Sequence, residues 1–108
     1  MQNDFEISPA ELQAKLIAKM PLILIDVREK EEYDICCLKE AQLISIRDLP
    51  SRAGELDAGA EMVLYCHHGM RSLQAALWLR KNGFPNVKSL SGGIEAWAEE
   101  IDPSMERY

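Results

Sequence analysis

Cys66-His67-His68-Gly69-Met70-Arg71-Ser72 gathers a thiol, two imidazoles, a guanidinium and a hydroxyl into one short run. The apolar stretch Met62 to Tyr65 leads into it, and the helix-forming stretch Leu73 to Arg80 leads out. A cysteine so placed lies where a strand ends and a helix begins. The backbone N–H groups of such a turn point inward at the sulfur. The outcome is an anion cradle with a nucleophile at its centre.

The thiolate, not the thiol, is the nucleophile. The positive end of the following helix stabilises an anion near its first turn. Consecutive N–H groups of the loop form a nest around it. Arg71 adds a permanent positive charge, and His67 and His68 add partial ones. Gly69 permits backbone angles closed to other residues, so the loop can fold tightly over the sulfur. Cys66 is therefore expected to alkylate faster than a free thiol near neutral pH. The plainer alternative is a small, inert cysteine ending a strand. The Gly and Arg at fixed offsets and the helix start weigh against it.

The other candidates are read more plainly. Asp26 and Arg28 lie at a strand end and read as a salt bridge or loop cap that positions its neighbours. His67 and His68 read as rim residues rather than bases. Trp78 and Trp97 read as core anchors. Glu29, Glu31 and Glu32 read as a solvated helix start. Cys36, Cys37, Cys66, His67 and His68 are metal-ligand types, but structural zinc sites use spaced pairs, and adjacent residues rarely reach one ion together. No metal and no cofactor are expected, and Cys36 and Cys37 read as free thiols.

The elements that must position this loop follow from pattern. Phe5 to Ile7 is a short strand. Ser8, Pro9 and Glu11 are a helix start with a capping box, and Pro21 is its stop. Leu22 to Ile25 and Met62 to Tyr65 are continuous apolar runs, typical of strands buried on both faces. Lys30 to Ile35 reads as a short helix, Ala41 to Ile46 as a strand and Asp48 to Leu56 as a helix. A helix from Ser72 to about Asn82 stops at Gly83 and Pro85. Val87 to Leu90 is the last strand, and Ser91-Gly92-Gly93 opens a helix carrying Ile94, Trp97 and Ile101 on one face. Alternating strands and helices predict a parallel sheet covered on both sides. Ligands bind such sheets at the carboxyl ends of strands. The loops after Asp26, after Tyr65 and at Ser91 to Gly93 are therefore expected to converge.

Bulk properties set the frame. The chain has 108 residues with 47% hydrophobic and 28% charged composition, and these suit one folded domain over 1–108, with a core of about 5–101 and a tail of 102–108. The net charge of -6 and the lack of a Lys/Arg run argue against nucleic acid. Met1 to Asp4 lacks the features of a signal peptide, and no apolar run is long enough to span a membrane. Three cysteines, an odd number, fit free thiols in a reducing cytoplasmic compartment.

Three blocks carry a family resemblance. Cys66, Gly69 and Arg71 match a C-x-x-G-x-R signature. Asp26-Val27-Arg28-Glu29 with Glu32-Tyr33 precedes it, and Gly92-Gly93-Ile94-Glu95-Ala96-Trp97 is the last of the three blocks. In this order they resemble a single-domain rhodanese, a sulfurtransferase module. The resemblance implies an α/β fold with a central, mostly parallel five-stranded sheet and helices on both faces. It implies that Cys66 takes sulfur from a donor such as thiosulfate as a persulfide. An acceptor then removes it: cyanide in the assay, or a sulfur carrier protein or thioredoxin-like thiol in the cell. Arg71 would orient the loop and bind the donor anion. His67, His68 and Met70 would line the mouth, with Gly69 and Ser72 contributing to the cradle and Gly92 and Gly93 supporting it. The segment 102–108 resembles the tail of rhodanese domains fused to activating enzymes for sulfur carriers. Two departures stand out: Glu40-Ala41 and Ser45 occupy positions where family members often carry Gly-Ala and Pro, and the Cys36-Cys37 doublet is unusual.

Two rival functions remain open at this stage. Phosphatases and arsenate reductases also use a cysteine in an amide-lined loop, spaced C-x5-R. Cys66 to Arg71 is C-x4-R, one residue shorter, and a tetrahedral phosphate needs a wider ring of donors than one sulfur atom does. A non-catalytic binding module is the other rival, though such domains often lack the cysteine.

Overall fold

The computed structural model describes residues 4–108. Met1 to Asn3, part of the stretch read as lacking a signal peptide, lie outside the described residues. Five strands, β1 (Glu6–Ile7), β2 (Ile23–Asp26), β3 (Gln42–Leu43), β4 (Met62–Tyr65) and β5 (Val87–Leu90), alternate with five helices. These are α1 (Pro9–Ile17), α2 (Lys30–Ile35), α3 (Leu49–Arg52), α4 (Met70–Lys81) and α5 (Gly93–Glu100). The sheet order is β1-β5-β4-β2-β3, and every pairing is parallel. The expectation of a mostly parallel sheet thus sharpens to an all-parallel one. Among the described residues no helix is long and apolar enough to cross a membrane.

The sheet separates two apolar layers. Side chains alternate along a strand, so neighbours point to opposite faces. Met62, Leu64 and Cys66 share one face with Ala75, Ala76 and Leu79 of α4 and Leu49 of α3. Val63 and Tyr65 fall on the other, with Leu12 of α1 and Ile94 and Trp97 of α5. Strand parity therefore puts the Cys66 thiol on the α4 side. All four residues of β4 are buried, which explains its unbroken apolar run.

Several boundaries differ from the sequence reading. Ser8 caps α1, accepting from the Glu11 amide at 3.1 Å. That helix ends well before Pro21, because Lys19 turns left-handed (φ 56°) and the Met20 N–H reaches back to Lys15 O. The strand expected over Ala41 to Ile46 shortens to Gln42–Leu43. Its pairing continues irregularly, with Ile44 and Ile46 amides donating to Asp26 and Val27 carbonyls, until the turn into α3 bends it away. The helix expected over Asp48 to Leu56 breaks after Arg52 into a 3-10 turn, Ala53–Glu55. The helix expected from Ser72 begins two residues earlier, at Met70. Trp97 is a core residue, but Trp78 is 38% exposed, a correction to its reading as a core anchor. The inward stripe of α4 is Ser72, Ala75, Ala76 and Leu79, at i, i+3, i+4 and i+7, and Trp78 lies off it.

Candidate active site

Register brings the strand ends together. Asp26 pairs with Tyr65, and Leu64 pairs with Ser89, so β2, β4 and β5 end side by side. The loop Cys66 to Gly69 leaves the central one. This is the crevice where an open α/β sheet binds its ligands.

Cys66 is 1% exposed, and its sulfur is held by the loop that follows. Sγ accepts from the amides of Gly69 at 3.1 Å and Ser72 at 3.3 Å, and lies 3.4 Å from Ser72 Oγ. Gly69 is the N-cap of α4 and offers no side chain, so an N-terminal donor of the helix lacks its usual cap. The sulfur takes that place at the third amide, as a serine or aspartate oxygen would. Helix capping and anion stabilisation are here the same pair of contacts. Ser72 Oγ rests 2.7 Å from Ser89 Oγ, both side chains fully buried, so β5 braces the cradle from below.

Two glycines make the geometry possible. Gly69 adopts φ 101°, which lets the chain turn over the sulfur before α4. Gly93 adopts φ 65°, and a Cβ there would sit 2.6 Å from Cys66 O. That close approach lets the Ile94 amide donate to Cys66 O at 2.9 Å and the Glu95 amide to His67 O at 3.1 Å. The first amides of α5 thus hold loop carbonyls, and the sulfur is served by α4. Gly92 precedes them at φ 76° on the exposed side.

Asp26 and Arg28 form a fully buried ion pair. Asp26 accepts from the Arg28 amide and Nε at 2.9 Å each and from Nη2 at 2.7 Å. Arg28 Nη2 also donates to Cys36 O at 2.6 Å, and Nη1 donates to the Tyr108 hydroxyl at 2.8 Å. Burial works against the guanidinium charge, but the hydrogen bonds to Asp26 and Tyr108 outweigh it and raise its pKa. The pair ties the end of β2 to the chain after α2.

Arg71 extends from the loop to α2. Its Nη1 and Nη2 fork onto the two carboxylate oxygens of Glu32, each at 2.9 Å. Glu32 also accepts from the Tyr108 hydroxyl at 2.7 Å and from the Glu29 amide at 3.1 Å. The Arg71 bond, joined by those two, holds the Glu32 carboxyl down to about 2 from 4.5. This corrects the reading of Glu32 as part of a solvated helix start. A depressed carboxyl adds stability that is present above its unfolded value and lost as pH falls through its folded one. Wild-type protein should therefore lose stability as pH drops from about 4.5 to about 2, and Glu32→Gln should lose less over that window. Thermal unfolding midpoints at pH 5 and pH 3, compared between the two proteins, check this; equal losses would contradict it.

The remaining loop residues form the rim. His68 and Met70 are exposed, Met70 at 69%. His67 is half-buried and 3.7 Å from Glu95 Oε1. Burial, with His68 beside it, lowers its pKa against the pull of Glu95, so the neutral ring is favoured near pH 7. The structure thus gathers Cys66, Gly69 and Ser72 around the sulfur, packs Gly93 beneath them, and links Arg28 with Asp26 and Arg71 with Glu32 at the periphery. Glu32, Ser89, Glu95 and Tyr108 belong to the same neighbourhood; none of them reads from sequence as a site residue, Glu32 reading there as part of a solvated helix start. The signal that could have found Glu32 is the Glu29–Glu32 spacing of a capping box, not read from the sequence and present in the structure.

Comparison with known proteins agrees with this geometry. The model of the rhodanese-like domain family matches residues 8–100. The putative sulfurtransferase YtwF of Bacillus subtilis is 40% identical over 98 residues, covering 91% of this chain and 94% of that protein. The probable adenylyltransferase/sulfurtransferase MoeZ of Mycobacterium tuberculosis is 40% identical over 104 residues, covering 94% of this chain. The chain spans about a quarter of the length of that larger relative, the matched share being 26%. A rhodanese-like domain protein from Staphylococcus aureus superposes with a TM-score of 0.82 at 27% identity, covering 95% of this chain and 97% of that one.

Proposed function

The chain belongs to the rhodanese-like domain family, and from that premise we propose that it is a sulfurtransferase carrying sulfane sulfur as a persulfide on Cys66. The thiolate attacks the outer sulfur of a donor such as thiosulfate. A Cys66 S–S bond forms, the donor's S–S bond breaks, and sulfite leaves with the electron pair. An acceptor nucleophile then attacks the outer persulfide sulfur. With cyanide the product is thiocyanate, and the Cys66 thiolate is restored. In the cell the acceptor would be a thiol or a sulfur carrier protein, and a reducing cytoplasm suits the free thiols of Cys36 and Cys37. Two separate half-reactions give ping-pong kinetics.

The observation that carries the reading is the convergence of two amides on the sulfur itself, at 3.1 and 3.3 Å. They stabilise the thiolate before attack and again when the acceptor expels it. The loop length favours sulfur over phosphate: Cys66 to Arg71 is C-x4-R, one residue shorter than the C-x5-R loop of phosphatases, and both arms of Arg71 lie on Glu32. Arg71 therefore serves the site by bracing the loop against α2.

The test is mass spectrometry of the intact protein after thiosulfate treatment, with peptide mapping. A gain of one sulfur on the peptide bearing Cys66, reversed by cyanide, is the expected result. Turnover of a phosphate ester with no sulfur adduct from any sulfane donor would replace this reading with phosphatase. No adduct and no turnover would leave a binding module.

A further inference from the structure

The segment 102–108 brings Tyr108 back to the active-site loop. Arg107 pairs with Glu95 and with Glu99 of α5, the latter at 3.1 Å. Met105 packs on the layer of α1 and α5, and its amide donates to Asp102 O at 3.1 Å. The Tyr108 ring stacks on the His67 ring, with centroids 4.0 Å apart and planes 15° from parallel. Its hydroxyl uses both of its capacities: it accepts from Arg28 Nη1 at 2.8 Å and donates to Glu32 Oε2 at 2.7 Å.

That hydroxyl completes a continuous relay of polar contacts. Asp26 accepts from Arg28 at 2.7 Å, Arg28 donates to Tyr108, Tyr108 donates to Glu32, and Glu32 accepts the Arg71 fork at 2.9 Å. One end is rigid, since the Asp26 and Arg28 side chains are both fully buried. The other end is the cradle. The Ser72 N–H that reaches the Cys66 sulfur belongs to the peptide unit joining Arg71 to Ser72. The Arg71 charge is felt there too: Glu32 does most to favour its protonated form, and Cys66 adds to it. Apart from Arg71 and Tyr108, Glu32 is held by the amide of Glu29, the cap of its own helix. Tyr108 is thus the link between this carboxylate and the buried end of β2. Charge-assisted hydrogen bonds are the strong ones, and a hydroxyl shared by a cation and a carboxylate cannot drift without stranding one of them.

We propose that Tyr108 is a positioning residue for sulfur transfer: its hydroxyl holds Glu32, and through the Arg71 fork it keeps the Ser72 amide aimed at the Cys66 sulfur. Sulfur transfer here is the reading proposed above; the aim of the amide bears on the thiol whatever it attacks.

The experiment uses the full chain in four forms: wild type, Tyr108→Phe, Glu32→Ala and the double variant, all held below their unfolding transitions. Phenylalanine keeps the ring on His67 and removes both hydroxyl bonds. In Tyr108→Phe the limiting single-turnover rate of sulfur uptake from saturating thiosulfate should fall about 5-fold, a small part of the roughly 100-fold that losing one such donor outright costs. The thiosulfate concentration at half-saturation should stay within about 2-fold, since the loss falls on the chemical step. In the Glu32→Ala background the same substitution should change the rate by less than about 2-fold, because the relay is already cut. The rate at which Cys66 reacts with iodoacetamide at pH 7, followed on its own peptide, should show the same pattern. Equal uptake and alkylation rates in Tyr108→Phe and wild type overturn the proposal. So does a loss that persists in full without Glu32, which would place the role of the hydroxyl in Arg28 and the fold at large. If wild-type protein takes up no sulfur while the alkylation rates follow the expected pattern, the transfer reading falls and the positioning role stands.

Discussion

Asp26→Ala is expected to destabilise the fold by about 3–5 kcal/mol, enough to lower the thermal midpoint by more than about 10 °C. The cause is the charge left behind rather than the bond removed. Arg28 is fully buried, and three of its N–H groups, one of them the backbone amide, donate to Asp26. Without the carboxylate the guanidinium keeps Cys36 O, the Cys36 sulfur at 4.0 Å and the Tyr108 hydroxyl, none of which carries compensating charge. Removing both members should cost less than removing one, since apolar replacements leave no stranded ion. Asp26→Leu combined with Arg28→Met should therefore be more stable than Asp26→Ala alone. Denaturant unfolding of the three proteins measures this. A single-mutant cost below about 1 kcal/mol, the range of a surface pair, would refute it.

Gly93→Ala should reduce persulfide formation by about 100-fold, the scale set by displacing a reacting group by about 1 Å. Gly93 touches no reacting atom. Its α-hydrogen lies where a methyl would meet Cys66 O at 2.6 Å, and its φ of 65° is strained for any other residue. The obstacle is backbone on both sides, so no flexible side chain can yield. Either α5 backs away and releases the Cys66 and His67 carbonyls, or the loop shifts and the Gly69 and Ser72 amides lose their aim. Both spoil the cradle. Gly54→Ala meets nothing within 4 Å and serves as the control. Single-turnover sulfur uptake from thiosulfate separates the two; equal rates would show the close approach to be dispensable.

What could be foreseen from the sequence follows from how local each signal is. β2 and β4 were visible because burial on both faces writes an uninterrupted apolar run, and α2 matched its expected limits, Lys30 to Ile35. β3 was overextended because it lies at the sheet edge, where a turn overrides propensity after two paired residues. The cradle was legible because Cys66, Gly69 and Ser72 are neighbours in the chain and the helix start follows directly. Glu32 was not, since its partner Arg71 lies 39 positions away and nothing near Glu32 announces an arginine. Tyr108 lies 76 positions from Glu32, and only the folded chain brings them together. Trp78 misled because a large apolar residue beside a helical stripe resembles a member of it.

The alternation along β4 also bears on how this protein can vary. Cys66 faces α4 only because it lies two positions after Leu64 and four after Met62, on the same layer. One residue added or lost within β4 would turn the thiol toward α1 and α5, away from every amide that serves it. Length changes in the loops before β3 or after α3 carry no such penalty. The placement of Cys66 is thus protected by arithmetic as well as by contacts: substitutions in β4 can be absorbed by repacking, whereas a single-codon insertion cannot.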